Sequence, residues 1–158
     1  MDDRFLKIVD NLLITEGGYV DDPKDAGGET RFGISKRSYP ALDIKNLTRD
    51  EAVNIYYTDF WTMYSYGKIR NDSLAEKVFS LSVNMGPFKA HLLLQVALNF
   101  TGRQVLIDGY LGAVTLKAVN DHPSPGWLLA TYKIEAVKHY LKLDKPRFDR
   151  GWILRAVA

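Results

Sequence analysis

The stretch Thr15-Glu16-Gly17-Gly18-Tyr19-Val20-Asp21-Asp22-Pro23-Lys24-Asp25-Ala26-Gly27-Gly28-Glu29-Thr30-Arg31-Phe32-Gly33-Ile34 decides how the rest of the chain is read. It joins an apolar-periodic segment to a polar loop, and it holds five glycines and five carboxylates. Upstream, Phe5, Ile8, Val9, Leu12 and Leu13 recur at intervals of three and four, which predicts a helix over residues 2–16. Continuing that stripe lands on Glu16, so the carboxylate belongs to the end of the buried face. Gly17-Gly18 then ends the helix, as glycine does just past a C-terminus. Desolvation first, and the negative end of the helix dipole second, would push such a carboxyl up and suit it to donate a proton. The same position also suits a plain polar helix end.

A loop from 17 to 34 exceeds the length of an ordinary connector, and loops of that kind tend to carry function. Its turn residues predict a short β-hairpin around Tyr19-Val20 and Arg31-Phe32-Gly33-Ile34. Its carboxylates invite a calcium reading. However, oxygen ligands alternating around a central glycine and ending in glutamate do not occur in the required order.

Downstream the chain reads as helices. Ser35 caps a short turn that ends near Pro40, and Thr48-Arg49-Asp50-Glu51 is a capping box opening a helix to about Tyr64. The face Val53, Tyr56, Tyr57, Phe60, Trp61 and Tyr64 is aromatic, divided between core and flat surface suited to sugar rings. Asp72 is expected to cap the next helix, which ends at Asn84-Met85-Gly86-Pro87. Ala90 to Phe100 is apolar nearly all round and is expected to be the central buried helix. Leu106 to Gly112 turns into a helix from Ala113 to about Asp121. Ser124-Pro125 opens another to about Leu143, and an amphipathic tail spans Phe148 to Val157. The expected class is mainly α, with a small β-hairpin near the N-terminus.

Composition removes several chemistries. The 158 residues suit one domain with up to two lobes, and 46% hydrophobic with 25% charged residues is an ordinary globular balance. A net charge of +2 with scattered Lys and Arg gives no basic stripe, so no nucleic-acid partner is expected. No cysteine is present, which excludes thiolate nucleophiles and thiolate metal sites. Met1 to Lys7 lacks secretory-signal character, and no apolar window is long enough for stable membrane insertion. His91, His122 and His139 lie far apart and read as surface or helix-end residues rather than metal ligands. Phosphate-binding loops and Gly-x-Ser-x-Gly elbows are absent.

Carboxylates remain as the best-supported reactive groups. Glycoside hydrolysis needs two, one protonated to expel the leaving oxygen and one ionised. Glu16 fits the first role and Asp25, in a solvated turn-rich loop, the second. Thr30 is placed to help hold water, with Asp21, Asp22 and Glu29 as weaker alternatives. Spacing leaves inversion and retention both open.

Glu16-Gly17-Gly18-Tyr19, Asp25-Ala26-Gly27-Gly28-Glu29-Thr30 and Phe32-Gly33-Ile34 resemble the signature of glycoside hydrolase family 108. These are phage-type N-acetylmuramidases with a lysozyme-like fold, among them endolysins and proteins labelled secretion activators. The resemblance continues through Tyr57-Thr58-Asp59-Phe60-Trp61 and Ser82-Val83-Asn84-Met85-Gly86. Leu94-Gln95-Val96-Ala97-Leu98, Asp108 to Thr115 and Gly151-Trp152 resemble the peptidoglycan-binding region that accompanies the family.

The resemblance implies a lysozyme-like muramidase region over 1–86 and a helical peptidoglycan-binding-like region over 87–158, packed as one compact unit. It implies cleavage of the β-1,4 bond between N-acetylmuramic acid and N-acetylglucosamine, without a cofactor; no metal is expected from the loop, and a monomer is expected. Glu16, Asp25 and Thr30 take the catalytic positions, and Tyr19, Tyr57, Trp61 and Asn84 take substrate contacts. The Asp25-to-Thr30 interval is about one residue shorter than in phage lysozymes, and Ser80 stands where the family has an aspartate. A lytic transglycosylase and a non-catalytic, wall-binding secretion accessory are the alternative readings. The implied setting is synthesis in a bacterial cytoplasm, from a phage or bacterial gene. Action on the wall would follow release by a holin or an export system.

Overall fold

A computed structural model describes residues 1–16, 18–21, 28–143 and 146–158; at Thr15, Glu16 and 146–149 only the backbone is described. The fold is mainly α with one small antiparallel β-hairpin, as the patterning predicts. Packing groups the chain into two compact units, Met1–Met63 and Tyr64–Ala158.

In the first unit, α1 (Asp3–Glu16) buries Phe5, Ile8, Val9, Leu12 and Leu13. Asp2 caps it, its Oδ1 accepting from the Phe5 amide at 2.7 Å. The hairpin pairs β1 (Thr30–Arg31) with β2 (Ile34–Ser35), and Val20 joins only as an isolated bridge to Thr30. The tight turn therefore lies at Phe32-Gly33, inside the segment that the sequence reads as a strand partner for Tyr19-Val20. Both turn residues have positive φ, 53° and 78°, the requirement of a type I′ turn. Gly33 adopts this freely, whereas Phe32 carries a Cβ penalty. The Tyr56 hydroxyl donates to the Phe32 carbonyl at 2.7 Å and holds the turn in place.

Thr48 and Glu51 form the expected capping box on α2 (Arg49–Tyr56). The helix does not run on to Tyr64 in α form: Tyr57–Thr62 is a π-helical turn. Its i→i−5 bond runs from the Met63 amide to the Thr58 carbonyl at 3.3 Å. Thr58 supplies a physical reason. Its hydroxyl donates back to the Asn54 carbonyl at 3.0 Å and competes with the regular ladder.

The second unit starts with a short 3₁₀ turn, Tyr66–Lys68. The next helix, α3 (Asp72–Met85), is capped by Asn71 rather than Asp72, the Asn71 side chain accepting from the Leu74 amide at 3.0 Å. Gly86, at φ 88°, ends α3 and begins α4 (Pro87–Phe100) at once, with Pro87 in the first turn. As expected for an all-round apolar segment, α4 is central: it packs on α3 and on α6 (Pro125–Lys142). In sequence α5 (Ala113–Asn120) comes between α4 and α6, and α7 (Pro146–Val157) follows α6 and packs against it. Lysines satisfy carbonyls at the α7 C-terminus. Lys77 donates to Arg155 O at 2.7 Å and Lys133 to Val157 O at 3.0 Å. Burial, then repulsion from Lys133, pulls the Lys77 ammonium down to about 8.

Two histidines depart from the surface reading. His91 and His122 are buried and hydrogen-bonded. His122 Nε2 lies 2.9 Å from Thr101 Oγ1 while Nδ1 accepts from the Ser124 amide at 3.1 Å. His91 Nε2 lies 2.9 Å from the Tyr66 hydroxyl, which donates to Ser82 Oγ at 2.7 Å, and Nδ1 lies 3.2 Å from Gly109 O. A signal for this exists in the sequence, since His91 sits at the head of an apolar run that is buried around it. Burial holds His91 below its usual range, opposed by the bond to Gly109. Its stability contribution is present above the unfolded value of about 6.5 and is lost as pH falls through the folded value. Urea unfolding from pH 7 to 5 should therefore show a shallower loss of stability in His91→Gln than in the wild type.

Candidate active site

The first unit carries most of the residues singled out in the sequence. Glu16 closes α1, placed there by the buried stripe Phe5 to Leu13, but its side chain lies outside the described residues. Asp25 lies outside them altogether, as does Asp22. Thr30 is described. Its backbone exchanges both hydrogen bonds with Val20, each 2.8 Å, and pairs on its other side with Ser35. Its hydroxyl donates to Gly28 O at 3.3 Å, leaving lone pairs able to accept from a water. Backbone pairing on both sides holds this residue in place, and the chemistry it offers is that of a fixed hydroxyl.

Tyr19 is 40% exposed at the start of the loop. Partial desolvation, then the carboxylates of Glu29, Asp21 and Asp43, hold its phenol above the usual range. The Tyr19 ring thus stands in an acidic surround that keeps it neutral and able to donate. The Asp43 contribution is not legible from the loop sequence, because Asp43 lies beyond the hairpin.

Tyr57 and Trp61 both lie on the π turn. Tyr57 is half-buried, its ring edge-on to Phe5 with centroids 5.0 Å apart. Trp61 is 3% exposed, its ring 5.5 Å from Phe5 and beneath the Arg4 guanidinium at 5.8 Å. In this arrangement Trp61 backs the aromatic cluster while Tyr57 keeps part of its face open. Between them Asp59 accepts from Tyr39 Oη at 2.9 Å, and its other oxygen lies 2.8 Å from Thr58 Oγ1, so its carboxylate is engaged in holding the turn. A π turn on residues carrying a family signature accords with the frequent placement of such turns at functional sites. Helical periodicity alone gives no sign of it.

Asn84 belongs to the second unit. It is half-buried on α3 and accepts from Tyr140 Oη of α6 at 2.6 Å. Ser80, on the same helix, is also half-buried. Among the described residues, no three His, Cys, Asp or Glu side chains gather into a cluster able to hold a metal ion.

The glycosyl hydrolase 108 family model matches residues 9–86, a span that contains Glu16, the hairpin and the π turn. Over that span the chain belongs to the glycosyl hydrolase 108 family. Residues 89–157 match a second model, described as a predicted peptidoglycan domain. The changeover between the two falls at the α3–α4 junction, inside the second compact unit. Among solved structures, SagA of Brucella abortus is similar, with 26% identity and a TM-score of 0.82. The match covers 97% of this chain and 89% of that one. No curated protein matches. At the level of class, the chain is a glycoside hydrolase with peptidoglycan as its partner and the cell wall as its place of action. Among the described residues, no helix is long and apolar enough to cross a membrane.

Proposed function

We propose that the protein is an N-acetylmuramidase, cleaving the β-1,4 bond between N-acetylmuramic acid and N-acetylglucosamine in peptidoglycan. Glu16 is the general acid that protonates the leaving oxygen. Asp25 is the ionised carboxylate that activates water or stabilises the oxocarbenium ion, and Thr30 helps to hold that water. Tyr19, Tyr57, Trp61 and Asn84 contribute sugar contacts. Residues 1–86 supply the hydrolase and 87–158 hold the wall.

One observation carries the reading: a glycoside hydrolase family model spans the segment in which a buried helical stripe terminates on a glutamate. A carboxyl on the last residue of a helix stands at the negative end of the helix dipole, which discourages its ionisation. No separate cofactor is required, since two carboxyls suffice for the chemistry.

Product analysis tests it. Purified peptidoglycan digested with the full chain should yield muropeptides with reducing N-acetylmuramic ends, identified by mass spectrometry after borohydride reduction. Anhydro-muramic ends would replace hydrolysis with a transglycosylase. Binding to sacculi without soluble products would leave a wall-binding accessory and overturn the enzymatic assignment.

A further inference from the structure

The loop between α4 and α5 is held with unusual care, although Leu106, Ile107 and Tyr110 on it are exposed. Gln95, fully buried on α4, spends its whole amide on that loop. Its Oε1 accepts from the amides of Asp108 and Gly109 at 3.0 and 2.8 Å. Its Nε2 donates its two N–H groups to Asp108 Oδ1 at 2.7 Å and Tyr110 O at 3.0 Å, and lies 3.2 Å from Thr115 Oγ1 in the first turn of α5. Gly109 approaches the Phe88 ring so closely that an added Cβ would lie 2.5 Å from it, and its φ is +75°. Asp108 Oδ1 also accepts from the Tyr110 amide at 2.9 Å, and these bonds hold its carboxyl below the usual range.

What this scaffold presents is aromatic and open. Tyr110 is 70% exposed and Phe88 56% exposed, their rings 6.4 Å apart and nearly perpendicular. A hydrophobic core gains nothing from an exposed ring pair, and a buried amide hub is costly unless every bond is made. A rigid ring with a hydroxyl at its wet edge is suited to a partner that has both flat C–H faces and hydroxyls, which describes a pyranose.

We propose that Phe88 and Tyr110 form a sugar-stacking subsite for the glycan strand of peptidoglycan, positioned by Gln95 through Asp108 and Gly109. The inference rests on peptidoglycan being the partner of this region, and adds which surface meets it and which part of the polymer it meets. Tyr110 supplies the stacking face. Gln95 is a positioning residue that touches the loop and not the sugar.

Co-sedimentation of the full chain with purified sacculi tests it, using the wild type, Tyr110→Ala and Tyr110→Trp, with thermal unfolding of each as a control on folding. Tyr110→Ala should weaken binding about tenfold, within the range that one aromatic stacking contact contributes. Tyr110→Trp should bind within about twofold of the wild type because it restores a stacking face. A second arm uses sacculi stripped of stem peptides by an amidase, on which wild-type binding and the Tyr110→Ala defect should both persist. Equal binding by Tyr110→Ala and wild type, with the wild type binding well, overturns the subsite and spares the peptidoglycan reading. A wild type that does not bind sacculi overturns both. Loss of wild-type binding on the stripped glycan overturns the sugar assignment in favour of the stem peptide.

Discussion

Glu16→Gln is expected to lower the release of reducing ends from peptidoglycan by about 10²–10⁴-fold, the range general acid catalysis supplies. Glutamine keeps the shape and polarity of the side chain but has no proton to give at neutral pH. The loss should therefore appear in kcat, with KM little changed. The residue stands at the last position of α1, beyond the stripe Phe5 to Leu13 that stabilises the helix, so the thermal midpoint should be nearly that of the wild type. The pH profile adds a second readout. A general acid must be protonated to act, so its own titration sets the alkaline limb of kcat/KM. Glu16→Asp, which restores a carboxyl on a shorter stem, should recover a measurable part of the rate and of that limb. An unchanged rate in Glu16→Gln would remove Glu16 from the chemistry and return the general-acid role to open competition among the loop carboxylates.

The sequence carries the helices well because each has two independent signals, an apolar period and a punctuating residue. Thr48 with Glu51, Gly86 with Pro87 and Ser124 with Pro125 all mark real boundaries. Less is legible where a side chain overrides the period. The hydroxyl of Thr58 takes a backbone carbonyl and a π turn appears in place of a continuing α-helix. Phe32 reads as part of a strand because an aromatic residue rarely accepts positive φ. Its carbonyl is instead secured by Tyr56, which lies 24 residues further on. Buried polar groups are the hardest class. His91 reads as a surface or helix-end residue and Gln95 as a polar break in an apolar run, yet both are buried, with partners on a loop further along the chain. Such partners follow from tertiary packing and leave no periodic trace. Of the candidate site, the end of α1, the existence of the hairpin and the Glu29 and Asp21 carboxylates near Tyr19 are legible, while the smaller contribution of Asp43 comes from outside the motif.

Gln95→Glu should be the most damaging single-atom exchange in the second unit, and the damage should grow with pH. The change preserves one oxygen to accept from the Asp108 and Gly109 amides. It replaces the donor nitrogen with a second oxygen facing Asp108 Oδ1 at 2.7 Å and the Tyr110 carbonyl at 3.0 Å. Asp108 is held below the usual carboxylate range, so near neutrality it is ionised and the two carboxyls repel. Burial and that repulsion both push the introduced carboxyl up. A group whose folded value is raised contributes its stability below the unfolded value of about 4.3, and loses it as pH rises through the folded value. Relative to the wild type at the same pH, the variant should therefore be nearest to normal around pH 4, where the introduced side chain is protonated and can donate to Asp108. By pH 8 an uncompensated buried charge costs about 3–5 kcal/mol. For a chain of this size that corresponds to a drop in Tm of roughly 6–20 °C. Gln95→Met provides the contrast, because it strands the same two amides without adding charge, and its deficit should depend much less on pH. Thermal unfolding of the three proteins from pH 4 to 8 separates the terms. A Gln95→Glu deficit that stays constant across that range would mean that Gln95 is not held against an ionised Asp108, and the loop's rigidity would need another source.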